Sequence, residues 1–313
     1  MGPRRVFLPN GVSRPLALAC GIAAAVAFSS SGRALAGCLP ARQLFAVREA
    51  AKVAFRQPSD LVLAGDRLLV LDDLNGRVAV LDLAGRSLGS IALPGSGGGS
   101  WLGLGFGGAD QIFLADSENG RVIVLDPKGA HVREFPVWAG GKSRPTGILV
   151  SRGTCFVADA GNHKVRALSL DGREQAAWGG PGEGPAQLRG PFRLAQDSFD
   201  RVLVADALNS RVLAFTPRGD PLAVIGEFGT TEGTLYRPAG VAVLEGDRVL
   251  VTDNYFGSLQ LFDSRGAYQG VVCGSDGRPL ALENPTGVAA RGNRIYVVEM
   301  GAGRVSAWEI STR

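Results

Sequence analysis

A knot of three polar residues returns six times along this chain at almost constant spacing. It is clearest in "LADSENGRVIVLD", Leu114–Asp126, where Asp116, Asn119 and Arg121 stand between two apolar runs. The same pattern gives Asp72–Asn75–Arg77, Asp159–Asn162–Lys164 and Asp206–Asn209–Arg211. Two eroded copies follow, one with Asp253, Phe256 and Ser258, the other with Glu299, Ala302 and Arg304. The first acids are 44, 43, 47, 47 and 46 residues apart. A period of this length belongs to a repeat architecture in which each unit is one small supersecondary element. Six copies rule out a single local site.

Each unit reads alike. A Pro-Gly lead opens it, as in "RPTGILV" (Arg144–Val150), "RPAGVAV" (Arg237–Val243) and "NPTGVAA" (Asn284–Ala290). An apolar run ends at the acid ("QIFLAD", "RVLVAD"), and the knot follows. A third run comes next, then a Gly turn and a fourth, more polar run. Short period-2 or fully apolar segments broken by Gly, Pro, Asn and Asp are strand-and-turn punctuation. The chain's 45 Gly and 17 Pro suit many tight turns. Four short strands in about 45 residues make one propeller blade. The prediction is an all-β fold: a six-bladed β-propeller of four-stranded antiparallel blades over residues 57–313. The sixth copy ends three residues after "RVSAWEI", with room for three strands. Residues 38–56 therefore read as a tether and an N-terminal closing strand, with "LFAVREAAKVAF" (Leu44–Phe55) supplying the missing outer strand. Such closure removes exposed sheet edges.

The knots read as architecture. The acid ends the second strand, where its carboxylate accepts backbone N–H groups of the turn. Asn tolerates a left-handed conformation there. Arg pairs with the acid or covers a neighbouring strand with its stem. A calcium site would need several convergent oxygens, and a cation beside nearly every acid argues against one.

The D-x-x-N-x-[RK]-V knot and the P-x-G lead resemble the NHL repeat. So do the linkers "WGGPGEGPAQLRGPF" (Trp178–Phe192) and "FGTTEGTLYRPAGVAV" (Phe228–Val243). The resemblance covers about residues 57–313 and implies the propeller fold. It does not imply one activity, because NHL propellers include protein scaffolds, RNA binders, sensor domains and a few enzymes. The amidating lyase of this fold class binds zinc through several histidines. This chain has two, His131 and His163, at unrelated places in the repeat. Carboxylate metal sites, as in lactonase-like propellers, stay open, with Asp60 as the suspect.

Residues 1–37 read as an export signal: a basic start, an apolar Ala-rich run (Pro15–Phe28) and a small-residue exit. The apolar run is short for a membrane span. Arg4-Arg5-Val6-Phe7-Leu8 resembles the twin-arginine consensus, and an ordinary secretory leader is the alternative. The exit also has two readings. Ala34-Leu35-Ala36 is an A-x-A cleavage site, and Leu35-Ala36-Gly37-Cys38 resembles a lipobox in which Cys38 is lipidated. Removing the leader leaves Cys38, Cys155 and Cys273. Cys155 and Cys273 fall in non-adjacent blades, so no disulfide is expected. The leader's arginines are Arg4, Arg5, Arg14 and Arg33, so the rest of the chain balances 29 basic against 29 acidic residues. That neutrality argues against nucleic acid as partner.

If the knots are scaffold, function sits where the repeats break their own pattern. The residue after Pro-x in each lead is Asp60, Gly147, Arg193, Gly240 and Gly287 in blades one, three, four, five and six. Blades one and four oppose each other in a six-blade ring, which brings Asp60 and Arg193 together at the channel mouth, as a binding site or as a polar plug. Tyr255 and Phe256 replace polar knot residues in blade five and are candidate partner anchors. The run "PGSGGGSWLGLGFGG" (Pro94–Gly108) lacks the Lys-Ser/Thr of a phosphate loop and reads as a long connection into blade two. The expectation is an exported, periplasmic or membrane-anchored interaction scaffold. It uses no cofactor or metal and takes a protein, peptide or glycan on its loop face. The alternative is a metal-dependent hydrolase or lyase with its site at the channel mouth.

Overall fold

The computed structural model describes residues 37–95 and 101–311. Residues 1–36 of the leader, with the twin-arginine motif and the A-x-A exit, therefore lie outside the described residues. Blade one is built of Pro58–Ala64, Arg67–Asp72, Arg77–Asp82 and Ser87–Ala92, paired in chain order. Blade two is Trp101–Gly107, Gln111–Asp116, Arg121–Leu125 and His131–Pro136. Blade three is Pro145–Ser151, Thr154–Asp159, Lys164–Ser169 and Glu174–Gly179. Blade four is Pro191–Gln196, Val202–Asp206, Arg211–Phe215 and Pro221–Ile225. Blade five is Pro238–Leu244, Arg248–Asp253, Ser258–Phe262 and Tyr268–Cys273. Blade six has Pro285–Arg291, Arg294–Glu299 and Arg304–Ile310, and its fourth strand is Cys38–Val47 from the other end of the chain. The pairings within each blade are antiparallel, as expected.

The fully apolar second strands follow from burial on both faces. Successive side chains of a strand point to opposite sides. In blade one, Leu69 and Leu71 pack towards blade two, whereas Leu68 and Val70 pack towards blade six. One hydrophobic cluster fills each of the six blade–blade interfaces. Each fully buried Leu contributes about 1.5–3 kcal/mol of transfer free energy. The outer strands of blades one to four are mostly exposed but send one side chain inwards: Ile91, Phe135, Trp178 and Ile225. The turn glycine of the next blade packs on it, as Gly172 does on Phe135 and Gly219 on Trp178. Gly85 of blade one meets Phe45 in the same way, so Phe45 takes that place for blade six.

Three expectations need correction. The closing strand runs from Cys38 to Val47, upstream of most of Leu44–Phe55, and no tether precedes it within 38–56. Residues Glu49–Ala50 and Val53–Ala54 form a small separate hairpin. The second half of the glycine-rich run is the inner strand of blade two, with Trp101 buried, and not a connection. Third, Cys38 and Cys273 are disulfide-bonded, with Cα atoms 5.8 Å apart. The closing strand first pairs parallel with blade five, Cys38 to Pro40 against Val271 to Cys273, before crossing to blade six. That crossing brings together two cysteines that a tether at Cys38 would have kept apart. Cys155 stays free and buried, its thiol pushed up to about 12 by desolvation.

Candidate functional site

The inner strands converge on a central channel. After the Pro-x lead, equivalent positions carry Asp60, Gly103, Gly147, Arg193, Gly240 and Gly287. The strands approach closely here. A Cβ on Gly287 would fall 2.8 Å from Asp60 Oδ1, and one on Gly103 would fall 2.9 Å from the Gly147 Cα. Cβ atoms on Gly147 and Gly240 would overlap the carbonyl oxygens of Phe192 and Thr286. Four glycines thus leave a narrow neck for one long side chain.

Arg193 fills that neck. Its Nε lies 3.1 Å from Asp60 Oδ1 as an ion pair, its Nη2 donates to the Ser59 carbonyl at 2.7 Å, and its Nη1 donates to the Thr146 carbonyl. The guanidinium also lies 4.3 Å from the Phe192 ring centroid. Asp60 accepts the amides of Leu61 and Leu104, each at 2.9 Å. Both residues are 5% exposed. Desolvation raises the Asp60 carboxyl, and the charge of Arg193 only partly offsets it. The pair predicted from the repeat's exceptions therefore forms, joined to blades two and three by backbone bonds. It caps one end of a cavity of about 310 Å³. Leu63, Phe106, Val150, Gln196, Val243 and Ala290 line the far part. Among the described residues no three His, Cys, Asp or Glu side chains cluster as metal ligands. His131 lies on the outer strand of blade two, and His163 in the corner of blade three accepts the Gly190 amide at 3.1 Å.

The corner acids are almost wholly buried, from 0% to 1% exposed. Asp72 accepts from the Arg56 amide, Asn75 Nδ2 and Arg77 Nε at 2.7–2.8 Å. Asp206 does the same with the Arg189 amide, Asn209 and Arg211. The acid therefore ties the incoming lead to the corner of its own blade. Two details differ from expectation. The left-handed residue is the one after Asn, at Gly76, Gly120, His163 and Ser210, while Asn donates its side-chain amide to the acid. In blade three the cation on Asp159 is Arg166 at 3.0 Å, not Lys164. The two share one strand face, two residues apart, which is the signal the knot spacing passed over. The blade-five acid, Asp253, accepts backbone amides of Tyr236, Arg237, Tyr255 and Phe256 in place of Asn and Arg.

That substitution frees the blade-five corner to carry aromatics. Tyr255 stacks on Tyr236 with centroids 4.1 Å apart, and Phe256 meets both rings edge-on. Phe228, from the loop between blades four and five, joins Tyr236 at 5.5 Å. Phe228 is 68% exposed and Tyr255 57%. The sequence pointed to Tyr255 and Phe256, whereas Phe228 and Tyr236 emerge only from the fold.

No protein-family model matches the chain, and no curated protein matches it. Solved structures match its fold. A catalytically inactive His-to-Ala variant of virginiamycin B lyase from Staphylococcus aureus, with quinupristin, has 13% identity and a TM-score of 0.61 over 86% of this chain and 87% of that one. A gluconolactonase from Xanthomonas campestris has 15% identity and a TM-score of 0.63 over 87% and 89%. A protein of unknown function from Bacteroides thetaiotaomicron has 15% identity and a TM-score of 0.64 over 83% and 71%. At these identities the likeness shows the fold alone: a six-bladed propeller similar to those of virginiamycin B lyase and gluconolactonase.

Proposed function

We propose that the protein is an exported NHL-type propeller that binds a protein, peptide or glycan on the face carrying Phe228, Tyr236, Tyr255 and Phe256. The observation behind this reading is the solvent-facing aromatic cluster itself. A soluble protein gains little from leaving a 68% exposed Phe and a 57% exposed Tyr side by side. Aromatic anchors of this kind dominate binding energetics when a partner desolvates them. The channel neck supports the same reading, because Asp60 and Arg193 are spent on each other and on backbone groups. Export rests on the leader. A lipid anchor at Cys38 is not part of the reading, because its sulfur is held by Cys273.

The likeness to a gluconolactonase and a lyase favours a second reading, a metal-dependent hydrolase or lyase acting at the Asp60 end of the channel. One pair of measurements separates them. Cross-linking through a photoreactive residue at position 255 should capture a discrete partner that Phe228→Ala abolishes, with melting unchanged by calcium or zinc. A large, saturable rise in Tm with either ion, lost in Asp60→Asn, would instead establish the second reading.

A further inference from the structure

We propose that Cys38 and Cys273 form a covalent latch on the closed ring of the exported protein, and that the mature chain begins at Gly37, not at an acylated Cys38. The latch sits where the closing strand passes from blade five to blade six. Cys38 is 6% exposed and Cys273 0%, and they cluster with Val271 away from solvent. Their Cα separation of 5.8 Å lies in the usual range for a disulfide.

Gly37 is already part of the fold. Its carbonyl accepts the Val271 amide at 2.7 Å, the bond that starts the parallel pairing. It has φ +99°, and its backbone packs directly on Gly270, where a Cβ would collide with the Gly37 carbonyl. Lipobox processing cuts between Gly37 and Cys38. It would remove that acceptor and place a diacylglyceryl thioether on the sulfur that Cys273 holds. Cleavage after Ala36, at the A-x-A exit, keeps both Gly37 and the free thiol.

The bond forms by exchange. One cysteine thiolate attacks a disulfide-bearing oxidant, giving a mixed disulfide and one reduced thiol. The second cysteine thiolate displaces the other thiol. The pair loses two protons and two electrons, and the oxidant is reduced to two thiols. Cys155 lies in blade three, is buried and takes no part.

The test uses the full chain produced in an export-competent bacterium and recovered from its cells. Without reductant, the intact mass should match a chain starting at Gly37 and two hydrogens lighter than its reduced form. In denaturant, alkylation should label only Cys155 before reduction and all of Cys38, Cys155 and Cys273 after it. Cys38→Ser and Cys273→Ser should lower Tm equally, by roughly 5–15 °C, and the double variant should fall no further. A diacylglyceryl mass on Cys38, or three labelled thiols without reductant, would overturn the proposal. So would release from membranes by Cys38→Ser but not by Cys273→Ser. If the variants do not fold, mass and labelling of the unmodified chain still decide it.

Discussion

Arg193 Nε lies 3.1 Å from Asp60 Oδ1, and the two residues come from blades that stand opposite each other in the ring. Contact across the channel is possible because the other four neck positions are glycine. Removing one member of a buried pair leaves an uncompensated charge and costs about 3–5 kcal/mol. Arg193→Met should therefore lower unfolding free energy by about that amount. The double variant Asp60→Asn/Arg193→Met should cost clearly less than the two singles added. Urea unfolding of all four proteins measures the coupling, and simple additivity would show that the pair does not act as a unit.

The neck glycines have negative φ, so their role is space and not backbone freedom. A Cβ at Gly240 would overlap the Thr286 carbonyl and lie 2.8 Å from Thr252 Oγ1. Backbone of a neighbouring blade cannot yield cheaply. Gly240→Ala should lose about 1–3 kcal/mol, the ordinary cost of overpacking a core. A variant as stable as the parent would mean that the inner strands are spaced more widely than described.

Arg166 and Lys164 separate the knot as spelled from the knot as built. Arg166 is 3% exposed, donates to Asp159 at 3.0 Å and pairs with Glu174 at 2.6 Å. Its guanidinium also lies 4.9 Å from the Trp138 ring centroid. Arg166→Met should cost about 3–5 kcal/mol by stranding the buried Asp159 carboxylate. Lys164→Met should stay within about 0.5 kcal/mol, as for an ordinary surface change. The reverse order in denaturant unfolding would restore the sequence-based assignment.

The repeat made the fold legible because each unit repeats the same local instructions. The apolar second strands, the corner acids and the Pro-Gly leads agree on strand, corner and entry in blade after blade. The Asp60–Arg193 contact was legible for the same reason, as two exceptions half a ring apart. What stayed hidden depended on contacts between units. The closing strand carries no knot or lead, and its equivalence to an outer strand shows only when Phe45 is seen against Gly85 as Phe135 is against Gly172. The disulfide was missed because it hangs on the start of that strand. Phe228 and Tyr236 belong to a linker whose neighbour is set by the ring and not by the repeat.

Asp159 and Asp206 occupy the same corner in consecutive blades and are both fully buried, yet they titrate in opposite directions. Burial alone would raise Asp159, but the Ser143 hydroxyl, the Arg144 amide, Asn162 and Arg166 together hold it below 3.8. Its ionised form therefore adds stability above pH 3.8, lost as pH falls through the folded value. For Asp206 burial outweighs the Arg189 amide, Asn209 and Arg211, and its carboxyl sits above 3.8. Its contribution is complete below pH 3.8 and is lost as pH rises through the folded value. At pH 7 the Asn isostere should therefore cost more at position 159 than at position 206. At pH 3 the gap should shrink, because the unfolded chain then holds both carboxyls mostly protonated. Denaturant unfolding of Asp159→Asn and Asp206→Asn at the two pH values measures the gap. One that is equal at both would show that the two corners share a single electrostatic environment.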